Sequence, residues 1–242
     1  DPQDEGCAEA DLVRLGLNLW RRTGRPEYLA TAERCLLNHF FFNQFATGDF
    51  GHRTVFKNGW RPSEQPGMAW WCCTMHGCRA FADVLRSVVT RDGDSRRVNL
   101  YLEGTWSDDA ATLRIERLPS LSPHQFRIRV LKSGPDAWTL DLRQPAWARP
   151  LRVRLDGEEL PVERTDGRVS IRRVWHADDE IVVTLPHVIR LETRDGRTLR
   201  PEEVGDEPVE AALFSGPYLL TVHEAAEPLI FRRPWMFPGK NA

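Results

Sequence analysis

The sequence predicts an α + β multidomain chain in which helices come first and an antiparallel β-sandwich second. Three observations carry this. Up to Asp92 the apolar residues recur with a helical period. After Asp92-Gly93 they alternate one in, one out, in a series of short runs. Asp-Gly pairs at Asp156-Gly157, Asp166-Gly167 and Asp195-Gly196 separate those runs as hairpin signals. Residues 1–92 are therefore read as the helical part and 93–242 as the β-sandwich domain.

The first helix is read in ADLVRLGLNLWRRTG, where Leu12, Leu15 and Leu19 join Val13, Leu17 and Trp20 on one broad face. Gly24 stops it, and Pro26 suits the first turn of the next helix. That second helix runs through PEYLATAERCLLNHFFF with Leu29, Ala32, Leu36 and Phe40 in register. A loop holding Gly and Pro follows over 46–67. A third helix starts near Cys73, with Met75, Cys78, Phe81, Ala82, Leu85 and Val88 expected inward. The β half reads as strands in VNLYLEGTW, ATLRIERL, FRIRVLK, WTLDLRQP, LRVRLDGEEL, RVSIRRVW, EIVVTLPHVIRLE and AALFSGPYLLTV. Many short strands at this spacing suggest a sandwich. Three helices are too few to close a ring of their own and resemble the last helices of a larger one.

The chain has 242 residues, enough for one large or two moderate cores. A net charge of −2 argues against a nucleic-acid surface, which needs a basic excess. The greasiest stretch, LLNHFFF, is too short to span a membrane. No secretory signal is visible, but the chain opens on DPQDEGC without Met and reads as the later part of something longer. Five cysteines is an odd number, which favours a reduced compartment or metal use over a disulfide framework and leans the location toward the cytoplasm. Nine Trp suit a carbohydrate-handling surface, although buried packing explains most Trp.

The chemistry concentrates in two short clusters. One is the Glu-x-Cys of Glu5 and Cys7; the other is the vicinal pair Cys72-Cys73. Neighbouring cysteines do not easily bridge to each other, so the pair reads as two thiols with a shared task. Zinc would take three Cys and one carboxylate as a tetrahedral set and hold the thiols ionised. The position of the pair at a helix start also favours thiolates. Buried free cysteines are the plainer reading. Cys35 and Cys78 read as core. His76 lies one turn beyond the pair, within reach of it, or packs at the helix surface. His52 and Arg53, in GDFGHRTVF, could line a pocket or sit in a solvated loop. Trp60, Trp70 and Trp71 could stack on a sugar or simply pack. Asp178, Asp179, Glu180, Glu202 and Glu203 read as solvated turns.

At these residues the chain resembles the cysteine-dependent glycosidases of glycoside hydrolase family 127, the β-L-arabinofuranosidase family. The likeness runs through DEGCAEADLVRLGLNLWRRTGRPEYLATAERCLLNHFF, WWCCTMHGCRAFADV and VNLYLEGTW. It continues in LRQPAWARPLRVRLDGEEL, VSIRRVWHADDEIVVTLP and AALFSGPYLL. The resemblance implies C-terminal helices of an (α/α)6 toroid followed by β-sandwich. It implies zinc held by Glu5, Cys7, Cys72 and Cys73, with Cys72 as nucleophile forming a thioglycosyl intermediate that water hydrolyses with retention. His52, Trp71 and His76 are expected on the substrate side, and the substrate is expected to be a carbohydrate. The family's acid/base Glu falls before residue 1, so the chain alone is expected to be inactive. Where family members commonly carry Pro after the pair, this chain has Thr74-Met75-His76, a divergent CCTMHG branch. The alternative to an enzyme is a non-catalytic module, zinc-stapled, that binds carbohydrate or serves structure. A toroid-plus-sandwich lyase or uronyl hydrolase is a further rival, and neither needs the cysteine pair. Incomplete helical layers are expected to self-associate through exposed apolar surface.

Overall fold

The computed structural model describes residues 3–54, 69–120, 123–148, 150–162, 164–205 and 209–220. Trp60, most of the expected loop and the end of the expected strand 211–222 lie outside them, as does the side chain of Arg53. The chain packs as two compact units, residues 1–81 with 188–242 and residues 82–187.

The first unit opens with a short strand β1 (Gln3–Glu5), then α1 (Gly6–Thr23) and α2 (Pro26–Cys35). Gly24 ends α1 as the sequence predicts, in the left-handed conformation at φ 70°, its N–H bonded to the Trp20 carbonyl at 2.7 Å. Pro26 opens α2. The expected continuation of α2 through Phe42 does not hold. Residues Leu36–Phe40 widen into a π turn, with the Phe41 N–H on the Leu36 carbonyl at 3.1 Å. The widened turn buries Phe40, which stacks on Phe50 at 4.6 Å and meets Phe81 at 5.6 Å. These rings, with Val13, Leu17, Leu29 and Leu36, form the core of this unit.

Strand β2 (His52–Thr54) pairs with β1, and α3 (Trp71–Val88) follows. The faces of α1 and α3 are rotated from the sequence reading. On α1 the buried positions are Gly6, Glu9, Ala10, Val13, Gly16 and Leu17, while Leu12 and Leu15 are exposed. On α3 they are Cys73, Gly77, Ala80, Val84, Ser87 and Val88, while Met75, Cys78 and Leu85 are exposed. Small residues cause the shift. Gly6 and Gly16 admit the backbone of Gly51 and Tyr28 and Gly77 admits the Phe50 ring, so the tightly packed seam runs through positions that hydrophobicity alone ranks low. Cys78 is therefore not a core residue, whereas Cys35 is.

The second unit is strand-built. It contains β3 (Val89–Asp92), β4 (Ser95–Val98), β5 (Gly104–Ser107), β6 (Ala111–Leu118), β7 (His124–Ser133) and β8 (Trp138–Arg143). It continues with β9 (Arg152–Leu155), β10 (Glu158–Glu159), β11 (Arg164–Thr165), β12 (Arg168–Arg173) and β13 (Glu180–Leu185). One sheet has the order β10-β9-β13-β7-β6-β5 and another β11-β12-β8-β4-β3. The period of two is visible in β7, where residues 124, 126, 128 and 130 are buried and their neighbours are not. Asp156-Gly157 and Asp166-Gly167 join β9 to β10 and β11 to β12 as predicted. Each has both residues at positive φ (48° and 91°, 50° and 70°), the turn whose twist matches a hairpin. The expected strand VNLYLEGTW is broken: β4 ends at Val98 and β5 begins at Gly104, with irregular backbone between. The sheet containing β4 is also not wholly antiparallel, because β4 and β8 run parallel. The chain leaves β4, builds β5 to β7 in the other sheet and returns, and such a crossover permits a parallel pair.

Within this unit His124 is buried on β7. Its ring stacks on His187 at 4.4 Å, and the edge of Trp147 meets both rings. Burial, then the His187 and Arg117 charges, pull its pKa down from 6.5 to about 4.

EIVVTLPHVIRLE is two strands, β13 and β14 (Ile189–Thr193), because Pro186 cannot continue a ladder. β14 joins β15 (Thr198–Leu199), β16 (Ala211–Ser215) and β17 (Tyr218–Leu220) in the order β15-β14-β16-β17. Periodicity groups these strands with the ones before them, whereas packing groups them with the helices. Arg34 of α2 pairs with Glu192 and lies over the Phe214 ring at 4.4 Å. Asn38 donates to the Pro217 carbonyl at 3.0 Å and accepts from the Leu219 N–H at 2.6 Å.

Candidate metal centre

Three chain segments converge on the cysteines. Glu5 is the last residue of β1, and Cys7 lies in the first turn of α1. Cys72 and Cys73 lie in the first turn of α3. Between them runs 50–52, tied on both sides. The Gly6 N–H bonds the Gly51 carbonyl at 3.2 Å, and Glu5 pairs with His52 in the β1–β2 ladder. On the other side the Trp70 N–H bonds the Phe50 carbonyl at 3.0 Å, and the Thr74 hydroxyl contacts both the Phe50 N–H and its carbonyl at 3.2 Å.

This lacing demands glycine at position 6. A Cβ there would stand 2.6 Å from the Gly51 carbonyl oxygen and 3.6 Å from Cβ of Cys73. The x of Glu-x-Cys is thus the point where β1–α1 passes closest to the segment under the cysteine pair.

The sulfurs of Cys7, Cys72 and Cys73 lie within 4.8 Å of one another. No disulfide joins them; Cys72 Sγ and Cys73 Sγ are 3.9 Å apart. Glu5 hydrogen-bonds Cys7. Cys73 is fully buried, while Cys7 and Cys72 are half-buried. Burial, then the hydrogen bond and charge of Glu5 and the neighbouring Cys73, push the Cys7 thiol up to about 12 from 9.0. Cys73 is raised as well, chiefly by burial, against hydrogen bonds from Cys7 that lower it. Cys7 and Cys73 so placed resist ionisation unless a cation joins the three sulfurs, beside which Glu5 stands as the hydrogen-bond partner of Cys7. That donor set fits a borderline-soft metal such as zinc.

His52 and Cys73 touch, Nε2 to Sγ at 3.4 Å. Trp70 meets the His52 ring edge-on at 5.5 Å and 78°. Trp71 beside the pair is exposed. His76 contacts α1, its Nδ1 lying 3.1 Å from the Asp11 carboxylate. The structure therefore brings together Glu5, Cys7, Cys72, Cys73 and His52, and sets His76 on a neighbouring helix contact. Sequence reasoning did not find the His52–Cys73 contact, because it depends on pairing between two three-residue strands. Nor did it find Glu9, buried one turn after Cys7 with its carboxylate on Asn43 at 2.7 Å. A lone Glu on a helix carries no signal of burial.

Residues 96–187 match the family model described as "Beta-L-arabinofuranosidase, GH127 middle domain". The chain resembles glycoside hydrolase family 127. The matched segment nearly coincides with the compact unit 82–187, and the cysteines lie before it. Among solved structures, the chain is similar to a GH127 beta-L-arabinofuranosidase from Geobacillus stearothermophilus T6, at TM-score 0.64 and 22% identity over 89% of this chain and 36% of that one. It is also similar to a GH127 beta-arabinofuranosidase, at TM-score 0.67 and 21% identity over 89% and 36%. A third structure described as a glycoside hydrolase gives TM-score 0.66 and 18% identity over 90% and 37%. The chain thus spans about a third of the length of these solved structures. No curated protein matches it.

Proposed function

We propose that the chain is the C-terminal portion of a zinc- and cysteine-dependent retaining glycoside hydrolase acting on a β-L-arabinofuranoside or a related sugar. The convergence of Cys7, Cys72 and Cys73 within 4.8 Å carries this reading. The likeness to GH127 supports it. In the proposal α1 to α3, within residues 1–92, are the last helices of an (α/α)6 toroid. The two larger sheets, the second of which takes in β3 just before residue 93, face each other as the sandwich of the domain read over 93–242. The isolated chain has little activity, since it corresponds to about a third of the related structures.

Glu5, Cys7, Cys72 and Cys73 would hold the zinc ion. When bound, the ion supplies the positive charge that keeps the sulfurs ionised near neutral pH. Cys72 is the attacking sulfur, because it is the less buried of the pair and stands beside the exposed Trp71. Its lone pair forms a bond to the anomeric carbon as the bond to the leaving oxygen breaks. That oxygen takes a proton from a general acid. Water then attacks the same carbon from the opposite side while giving a proton to that same group, now acting as base; the C–S bond breaks, and Cys72 recovers its electron pair. Two inversions give net retention. Trp71 offers an aromatic face to the sugar.

In the full-length enzyme, Cys72→Ser should abolish hydrolysis of an aryl β-L-arabinofuranoside while fold and zinc content are followed separately. Near-normal kcat in that variant would overturn the assignment. We also propose self-association through Leu12, Leu15 and Met75, exposed on α1 and α3. A clean monomer by light scattering would count against it.

A further inference from the structure

The two vicinal thiols are not equivalent, and the reason lies on β2. Cys73 is fully buried and has the His52 ring against its sulfur at 3.4 Å, whereas Cys72 is half-buried. The backbone on either side of His52 is held by four ties: the ladder to Glu5, the Gly6–Gly51 bond, the Trp70–Phe50 bond and the Thr74 hydroxyl on Phe50. Trp70 fixes the ring from its edge. The other ring nitrogen, Nδ1, is buried and makes no hydrogen bond among the described residues. Among the described residues the one polar partner of this ring is a thiol of the pair.

We propose that His52 is a positioning residue that donates its Nε2–H to the Cys73 thiolate and makes that sulfur the spectator of the pair. The inference rests on the metal-centre reading above and adds a role for His52 within it. A thiolate that accepts an N–H keeps its place as a ligand but offers less electron density for attack. Nδ1 is then the unprotonated nitrogen, which is the cheaper form to leave buried without a partner, since it carries no stranded N–H. Cys72 has no such donor among the described residues apart from its neighbour Cys73. The asymmetry therefore leaves Cys72 as the nucleophilic sulfur. His52 acts on the substrate only through this choice, and does not touch it.

The test compares His52→Phe, His52→Asn and His52→Gln in the full chain. A glutamine amide nitrogen reaches the place of Nε2, whereas an asparagine amide falls short of it. Zinc affinity is read by competition with a chromophoric chelator, and the ligand set by the visible spectrum of the cobalt-substituted chain. Loss of a donor to a ligand costs about 10- to 100-fold in metal affinity. That loss is expected for Phe and Asn, with recovery in Gln and an unchanged cobalt spectrum in all three. Iodoacetamide labelling of the zinc-loaded chain, read by peptide mass spectrometry, should favour Cys72 in wild type and Gln. The ratio should fall toward one in Asn. Wild-type affinity in both Phe and Asn overturns the proposal, and so does a shifted cobalt spectrum, which would make His52 a ligand itself. If the wild-type chain binds no zinc, or Cys73→Ser binds it fully, the metal-centre reading falls instead.

Discussion

His124 gives the second unit a pH-dependent stability whose size follows from its surroundings. The ring is 5% exposed, stacked on His187 at 4.4 Å, with an Arg117 nitrogen 3.3 Å from its Nδ1. Burial, then these two neighbours, disfavour its charged form, so its folded pKa is about 4 against 6.5 in a free chain. The sign follows from the depressed value. Above pH 6.5 both states are neutral and the folded state carries no penalty. As pH falls below 6.5 the unfolded chain takes up the proton and the folded one does not, so stability drops until the folded pKa is passed. By pH 5 the loss is about 2 kcal/mol, rising to roughly 3 kcal/mol below pH 4.

The window from 6.5 to 5 is useful because few carboxylates titrate there. His124→Phe keeps an aromatic ring on His187 and removes the proton site. Urea titrations at pH 7 and pH 5, read by hydrogen exchange of peptides from β7 and β13, report this unit alone. Wild type should lose about 2 kcal/mol more than the variant between the two pH values. Equal losses in the two proteins would show that His124 is not the group responsible and that its ring is hydrated or otherwise accommodated when charged.

Other tests address the site and its supports. Zinc should protect Cys7 and Cys73 from iodoacetamide and leave Cys72 reactive, with exposed Cys78 labelled throughout and buried Cys35 labelled only on unfolding. Protection of all three cluster cysteines would indicate a structural site. Gly6→Ala places a Cβ 2.6 Å from the Gly51 carbonyl, so it should separate β1 from β2. Its zinc affinity should fall at least about tenfold, the effect of a misplaced supporting group; unchanged affinity would deny that this contact sets the cluster. Asn38→Ala strands the Leu219 N–H and the Pro217 carbonyl, so it should cost about 1–3 kcal/mol. Faster hydrogen exchange across β17 would check it, and unchanged exchange would refute it.

The elements legible in sequence were those with strong local chemistry. Gly24, Pro26 and the Asp-Gly turns at 156 and 166 work through φ, which the residue itself dictates. The period of two in β7 is equally local. Two kinds of feature escaped. Helix faces were misjudged where small residues made the seam: Gly6 and Gly16 on α1, Gly77 and Ala80 on α3. Hydrophobicity ranks these positions below Leu12, Leu15 and Met75, although the contact is decided by room for a neighbour: the backbone of Gly51 and Tyr28 against Gly6 and Gly16, and the Phe50 ring against Gly77. Associations between distant segments were the second kind. That β14 to β17 dock on α2 depends on Arg34 and Asn38, single polar residues 150 or more positions away in sequence terms from Glu192 and Leu219. At the candidate site, the residue types and spacing marked Glu5, Cys7, Cys72 and Cys73, while the contact of His52 with Cys73 needed the β1–β2 pairing.

The cluster also shows which effect governs its thiols. Cys7, Cys72 and Cys73 all sit in first turns of helices, where the dipole and free N–H groups favour negative charge. Each helix end is worth about 0.3–1 kcal/mol, less than a tenfold change in ionisation. Burial and the Glu5 carboxylate act the other way on Cys7 and hold it near 12. At pH 7 such a thiol is ionised in roughly one molecule in 10⁵. Two helix ends fall short of that by orders of magnitude. A structural zinc ion contributes about 10–16 kcal/mol in small zinc-binding peptides, enough to expel the protons and fold the segments together. The helix starts therefore orient the sulfurs, and it is a bound cation that would ionise Cys7 and Cys73. If the purified chain, stripped of metal, showed Cys7 and Cys73 reacting with iodoacetamide as fast as an ordinary free thiolate near pH 7, burial would not be the governing effect and this ordering of causes would be wrong.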